Sequence, residues 1–315
     1  MASRPRFQLF DGPSPLHPLP RFCEQALDGR VEIWIKREDL LPLAFGGNKV
    51  RNLEFLVGAA LAEGCDTLIT SGRRWSNHAR LTAAAGARAG MAVHLVLSGP
   101  AVEPPGPGIQ LARAFGATIH QLATADRSER ETTVQRVTKD VVATGGRPYV
   151  IDTGGAGAIG AWGQVLAGRE LLDQADAIGL GIDRIVLPSA TGGTQAGLIV
   201  AVPPATTVTG FVVGRSTAEL RPVIAETVVA LGGSVEPDSI ELDDTQLGDG
   251  YGRPSLAGAE ATELLARSEG ILVDPIYTSK ALSGLIAGAR SGAWDGERIV
   301  FWHAGGLPGL FEPLD

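Results

Sequence analysis

The stretch TLITSGRRWSNHARLTAAAGARAG, residues 67–90, decides the fold. TLIT (67–70) reads as a strand, and NHARLTAAAGARAG reads as a helix that follows it after a polar turn. The same alternation recurs on both sides. AVHLVL (92–97) leads through a loop to the helical GIQLARAFG, and ATIH (117–120) precedes Val134, Val137 and Val141 at helical spacing. PYVI (148–151) closes this block. Upstream, VEIWI (31–35) is a strand candidate behind a proline-rich, extended arm at 11–20. Downstream, RIVLP (184–188), TVTGFVV (207–213), GILV (270–273) and RIVFW (298–302) are strand candidates with helical segments between them. Alternation of this kind predicts two α/β units with parallel-type open sheets covered by helices. The glycine-rich TGGAGAIGAWG (153–163) marks a hinge or boundary, and the N-terminal strand is expected to join the second sheet.

The composition narrows the function. The chain has 315 residues and a net charge of −8, which disfavours a nucleic-acid binder working through a basic surface. Its apolar runs are too short to span a bilayer. Cys23 and Cys65 are the only cysteines, too few for a disulfide framework or a cysteine-based zinc site, so no metal is expected. The default is a soluble, reduced, cytoplasmic protein.

Three turns carry the chemistry. In FGGNKVRNLEF (45–55), Lys49 opens a helix whose apolar face includes Val50, Leu53, Leu56 and Val57. A cation is poorly placed at a helix N-terminus, but burial and a positive helix end both favour a neutral, reactive amine. In SATGGTQAG (189–197), glycines between a strand and a helix suit a phosphate, with Thr191 and Thr194 as hydroxyl donors. No lysine follows as in an NTP-binding loop, and the spacing is not that of a dinucleotide fingerprint. In SGRRWSNHAR (71–80), Ser76 or Asn77 can cap a helix, or Ser76, Asn77 and His78 can face a carboxylate, with Arg73, Arg74 and Arg80 raising the local potential. A reactive lysine and a phosphate cradle on an α/β scaffold point to pyridoxal phosphate. Near the C-terminus, Tyr251 between glycines, Tyr277, and His303 before Gly-Gly are further candidates, each also explicable by packing.

Taken together, KREDL, FGGNKVRNLEF, SNHAR, PSATGGTQAG, GYG, DPIYTSKALSGLI and HAGGLPGLF resemble the D-cysteine desulfhydrase and 1-aminocyclopropane-1-carboxylate (ACC) deaminase family over nearly the whole chain. The resemblance implies pyridoxal-phosphate fold type II, the tryptophan synthase β-like fold. It implies a large cofactor domain of residues 1–49 and 161–315 and a small one of 50–160. It implies Lys49 as the Schiff-base lysine and base, and Asn77 on the cofactor's phenolic oxygen. Ala190, Thr191, Gly192, Gly193 and Thr194 would hold the phosphate, and Thr278 would face the pyridine nitrogen. Ser76, Asn77 and His78 would hold the substrate carboxylate, with Ser76 and Tyr277 as acid/base candidates, and Trp75, Tyr251 and Tyr277 near the substrate. A homodimer acting on a small amino acid is expected, by β-elimination to a keto acid, ammonia and a leaving group such as sulfide.

His78 and Thr278 lean toward the desulfhydrases, because the deaminases carry Gln and Glu there. Three departures stand out. GRRWSN replaces GG-x-QSN and brings in Trp75. HAGG replaces HTGG, so Ala304 lacks a hydroxyl. GGAGAIG replaces GGS-x-P-x-G at Ala156 and Ala158. They point to a member retuned for another amino acid. Ring-opening deamination, racemisation, β/γ-replacement and a catalytically silent cofactor-binding protein are the rival readings.

Overall fold

The computed structural model describes residues 4–314. In chain order the elements are β1 (Leu16–Pro18), α1 (Pro20–Leu27), β2 (Glu32–Arg37), α2 (Lys49–Ala62), β3 (Thr67–Arg73), α3 (Asn77–Ala89), β4 (Ala92–Ser98), α4 (Pro107–Ala114) and β5 (Thr118–Leu122). They continue with α5 (Arg127–Ala143), β6 (Pro148–Ile151), α6 (Ala158–Ala177), β7 (Arg184–Ser189), α7 (Gly193–Ala201), β8 (Thr207–Val212) and α8 (Thr217–Ala230). The last are β9 (Leu242–Asp243), α9 (Leu256–Glu269), α10 (Thr278–Arg290) and β10 (Arg298–His303).

The strands form two sheets. The smaller has the order β5-β4-β3-β6 and is parallel throughout. The larger has the order β1-β2-β10-β7-β8-β9, parallel except for the antiparallel pair β1–β2. The N-terminal strand therefore does join the second sheet, with Glu32 opposite Arg298 and Arg37 opposite His303.

Local chemistry accounts for where the helices begin and end. Ser76 caps α3 by accepting from the Ala79 amide, and Gly90 ends it in the left-handed conformation. Ser216 and Glu219 form a reciprocal capping box on α8. Each sheet has its own core. Leu68, Leu95 and Leu97 pack beneath α2 and α3, whereas Ile33, Phe301 and Val186 pack with α9 and α10. Where α2 meets α6, Gly163 lies against the Arg51 backbone, leaving no room for a Cβ.

A buried ionic cluster fastens α2 to the larger sheet. Arg51 donates to Glu38 at 2.5 Å and to Glu170 at 2.8 Å, and Lys36 donates to Glu170 at 2.6 Å.

One expected strand is absent. GILV (270–273) alternates in burial like a strand, with Ile271 and Val273 inside and Leu272 outside. It is a loop, held where the Leu272 carbonyl meets His303 Nε2 at 2.8 Å. The proline-rich arm is more structured than its composition suggests, contributing β1 and then α1 from Pro20.

Candidate active site

The C-terminal ends of β3, β7 and β10 open into one cavity of about 390 Å³, where open α/β sheets place ligands. The chain reaches it from β2 through an unusual loop. Ala44, Phe45, Gly46 and Gly47 all have positive φ, at 45°, 66°, 62° and 117°. For Ala44 and Phe45 this conformation is strained and needs support. The buried Arg80 guanidinium supplies some by donating to the Ala44 carbonyl. The Gly47 amide donates to the Glu38 carbonyl at 2.8 Å, and the Asn48 amide donates to the Ala304 carbonyl at 3.0 Å. Lys49 follows as the first residue of α2 and lines the cavity. Burial pulls its amine down to about 8.

Ser76, Asn77 and His78 line the same cavity from the β3–α3 turn. Ser76 is the cap of α3, its oxygen accepting from the Ala79 amide at 3.2 Å, and its proton remains available to donate. Gly72 permits this approach, since a Cβ there would lie 2.7 Å from Ser76 Oγ. Asn77 Oδ1 accepts from Arg80 at 3.2 Å, which leaves its amide hydrogens to donate. For His78, Thr70 Oγ1 gives its proton to the Ile151 carbonyl and Thr82 Oγ1 gives its own to the His78 carbonyl. The Thr70 oxygen, 3.1 Å from His78 Nε2, can therefore only accept, so Nε2 carries the ring hydrogen. Burial, and then the Lys49 charge, pull His78 down to about 3, so the ring is neutral.

Facing these residues is the β7–α7 turn. Gly192 has φ 82° and stands at the N-terminus of α7 without a capping side chain, leaving the first amides of the helix open. A Cβ on Gly192 would lie 2.7 Å from Ile224. Ala190, Thr191, Gly192 and Thr194 line the cavity, while Gly193 opens α7 behind them. Ser189 Oγ is buried with no protein partner.

The third wall comes from α10 and the loop between β9 and α9. The Tyr251 and Tyr277 hydroxyls meet at 2.6 Å. Burial raises both, Tyr277 well above the usual tyrosine range, so they stay protonated. Thr278 is fully buried and gives its hydroxyl proton to the Gly305 carbonyl at 3.1 Å. Asp274 accepts from the amides of Ile276, Tyr277 and Thr278, organising the start of α10. His303 has a packing role: Nε2 meets the Leu272 carbonyl and Nδ1 accepts from the Gly305 amide.

Trp75, expected near the substrate, does not line the cavity. Its ring lies behind the wall, 5% exposed, where a Cβ on Gly252 would stand 2.5 Å from Cζ2. Arg74 and Arg80, read as raising the local potential, are buried and tied to the Pro313 and Ala44 carbonyls. Sequence reading missed Asn48, Ser189, Thr153 and Arg130, all of which line the cavity. Asn48 and Ser189 stood beside motifs already singled out. Arg130 lies in a polar helical segment with nothing to mark it.

Comparison with known proteins agrees with this geometry. Residues 7–305 match the family model for pyridoxal-phosphate dependent enzymes. The chain is 40% identical to D-cysteine desulfhydrase of Salmonella typhi over 318 aligned positions, covering 98% of this chain and 95% of that protein. Identity and coverage are the same for the Salmonella newport enzyme. Among solved structures, an ACC deaminase homologue superposes with a TM-score of 0.89 at 35% identity, covering 98% of this chain and 94% of that one. A T.th. threonine deaminase, at 23% identity, shares the fold with a TM-score of 0.66 over 93% of this chain and 92% of its own. On these grounds the chain belongs to the pyridoxal-phosphate dependent enzymes, with the α/β architecture of fold type II.

Proposed function

We propose that this enzyme is a lyase that removes the β substituent of a small amino acid, in the manner of a D-cysteine desulfhydrase. The observation that carries it is the pairing of a buried amine of lowered pKa, Lys49, with an uncapped helix N-terminus at Gly192–Thr194 in one cavity. The residues fit pyridoxal phosphate. The unpartnered Ser189 hydroxyl and the open α7 amides suit a phosphate, and Asn77 has amide hydrogens to give a phenolic oxygen. The bound cofactor supplies an electron sink for the pair left at Cα when its proton is removed.

The chain's own residues then divide the work. Lys49 Nζ is neutral often enough near pH 8 to take the Cα proton. Open amides at the start of α3, with the Ser76 hydroxyl, hold the substrate carboxylate. His78 presents no charge to it and keeps Thr70 and Thr82 in place. Tyr277, protonated and paired with Tyr251 in the cavity wall, would give a proton to the departing group. Thr278 offers an alcohol rather than a carboxylate beside Ala304, which favours elimination over opening of an unactivated ring. Reading the protein as a cytoplasmic homodimer rests on the resemblance in sequence; no helix among the described residues is long and apolar enough to cross a membrane. Purified protein mixed with D-cysteine should release sulfide and a keto acid. Absence of both from D- and L-cysteine alike, with cofactor bound, would reject thiol elimination.

A further inference from the structure

We propose that the substrate preferred by this enzyme carries a second negative charge on the group that leaves Cβ, and that Arg73 and Arg130 bind it. This rests on the lyase reading and goes beyond it by naming the substrate class. Arg73 ends β3, Arg130 lies in the first turn of α5, and both line the cavity. The Nε of each is buried without a hydrogen-bond partner.

Several buried cations elsewhere in the molecule are paired with carboxylates. Lys36 and Arg51 share Glu170, Arg51 also holds Glu38, and Arg184 holds Glu241 and Glu297. Among the described residues, Arg73 and Arg130 form no ion pair with any carboxylate; Arg130 donates only to Ser98 Oγ, at 3.2 Å. Cations withdrawn from water without a counter-charge are costly, and an anionic ligand relieves that cost. Burial, with the charges of Arg127 and Arg73, already lowers the Arg130 pKa.

The cofactor's phosphate is not the missing anion, because its cradle is the β7–α7 turn on the other sheet. Arg73 and Arg130 instead act on Tyr251, which touches Tyr277. Trp75 gains a purpose here. The Arg73 guanidinium lies over its ring, 4.9 Å from the centroid, while Gly252 rests on the ring edge and Tyr251 stands 6.5 Å away. Trp75 thus braces both the arginine and the tyrosine.

The chemistry balances without an oxidant or reductant. Lys49 takes the Cα proton, the Cα–H pair becomes the Cα–Cβ π bond, and the Cβ–X pair leaves with X. An X that is already anionic departs with one more negative charge, which two guanidinium groups and a tyrosine proton stabilise. The unsaturated amine then hydrolyses to a keto acid and ammonia.

The test gives the holoenzyme both enantiomers of cysteine, cysteine sulfinate, cysteate and O-phosphoserine, measuring keto acid release and binding by cofactor absorbance. At least one doubly anionic compound should exceed cysteine about tenfold or more in kcat/KM, as one charge-assisted contact allows. Arg73→Gln and Arg130→Gln should each lower kcat/KM for that compound about tenfold more than for cysteine. Equal losses for all substrates would assign the arginines to the α-carboxylate and overturn the proposal. So would doubly anionic compounds binding no tighter than alanine, whether or not anything turns over. Tight charged binding with no product from any compound would instead overturn the lyase reading, and with it a charged leaving group. The three anionic side groups separate sulfinate, sulfonate and phosphate as the source of the charge.

Discussion

Asn48 Nδ2 donates to Thr194 Oγ1 at 2.8 Å, so the residue before Lys49 is tied to the helix proposed to receive the phosphate. Gln164 holds the other side of Asn48, donating to its carbonyl at 2.8 Å. Asn48→Ala leaves Lys49 and the open α7 amides in place but unties them from each other. Cofactor affinity should fall about tenfold, the worth of one buried hydrogen bond plus its unsatisfied partner. Fluorescence titration of the apoprotein measures it. An unchanged dissociation constant would show that the two turns are positioned independently.

Lys49 itself makes a sharper prediction. Reduction of the holoenzyme with borohydride should leave a pyridoxyl group on the peptide that carries residue 49. Lys49→Ala should remove both the label and the visible absorbance of the bound cofactor. A label on Lys36 or Lys280, which are committed to Glu170 and to the Leu247 and Gly250 carbonyls, would overturn the assignment.

The pH dependence follows in sign. In the folded apoprotein Lys49 titrates near 8, against 10.5 for a free lysine, so the folded state binds fewer protons than the unfolded one between these values. Its contribution to stability therefore rises with pH across that window and is lost as pH falls through about 8. In the proposed role, the same neutral amine would react with the cofactor aldehyde. Loading of the apoprotein should slow about tenfold per pH unit below 8 and level off above it. A midpoint near 10 in stopped-flow absorbance would mean that burial does not tune this amine.

Much of this was legible from the chain because strands of an α/β protein are compact apolar runs bounded by turns. PYVI matches β6 residue for residue, and RIVLP and RIVFW each fall one residue short of β7 and β10. GILV misled because buried Ile271 and Val273 flank an exposed Leu272 in a loop, and burial periodicity does not reveal a missing ladder partner. Lys49 and the Gly192 turn were visible because their glycines are local. The bond from Asn48 to Thr194 spans 146 positions and leaves no local trace. Trp75 was read as a pocket residue from its neighbours in sequence, but successive residues of a turn point in different directions. Ser76 faces the cavity, whereas Trp75 turns toward Gly252.

The ionic cluster at the root of α2 should carry stability more than chemistry. Glu38 is fully buried and accepts from Arg51 and from Ser14 Oγ at 2.6 Å. Glu38→Ala leaves the Arg51 guanidinium with Glu170 as its one carboxylate partner, beside Ser14 Oγ. Removing one partner of a buried pair costs about 3–5 kcal/mol. A urea midpoint equal to the wild type would show that Glu170 suffices.

Gly252 gives the most discriminating test of the wall behind the cavity. Its φ is +79°, and a Cβ would lie 2.5 Å from Trp75 Cζ2. Gly252→Ala therefore meets strain from the backbone and a clash with a ring that cannot retreat, because Arg73 and Arg74 lie over it at 4.9 Å each. The loop must lift, carrying Tyr251 away from Tyr277. Stability should drop by about 1–3 kcal/mol, the usual range for a residue forced into this conformation or an overpacked site. Turnover should fall further than stability explains, since misplacing a positioned group by about 1 Å can cost a hundredfold. Gly252→Ala combined with Trp75→Gln removes the clash and keeps the backbone strain. If the double variant regains turnover while remaining less stable than wild type, the ring contact sets the position of Tyr251. If turnover stays as low as in Gly252→Ala alone, the backbone conformation sets it and Trp75 does not brace the tyrosine.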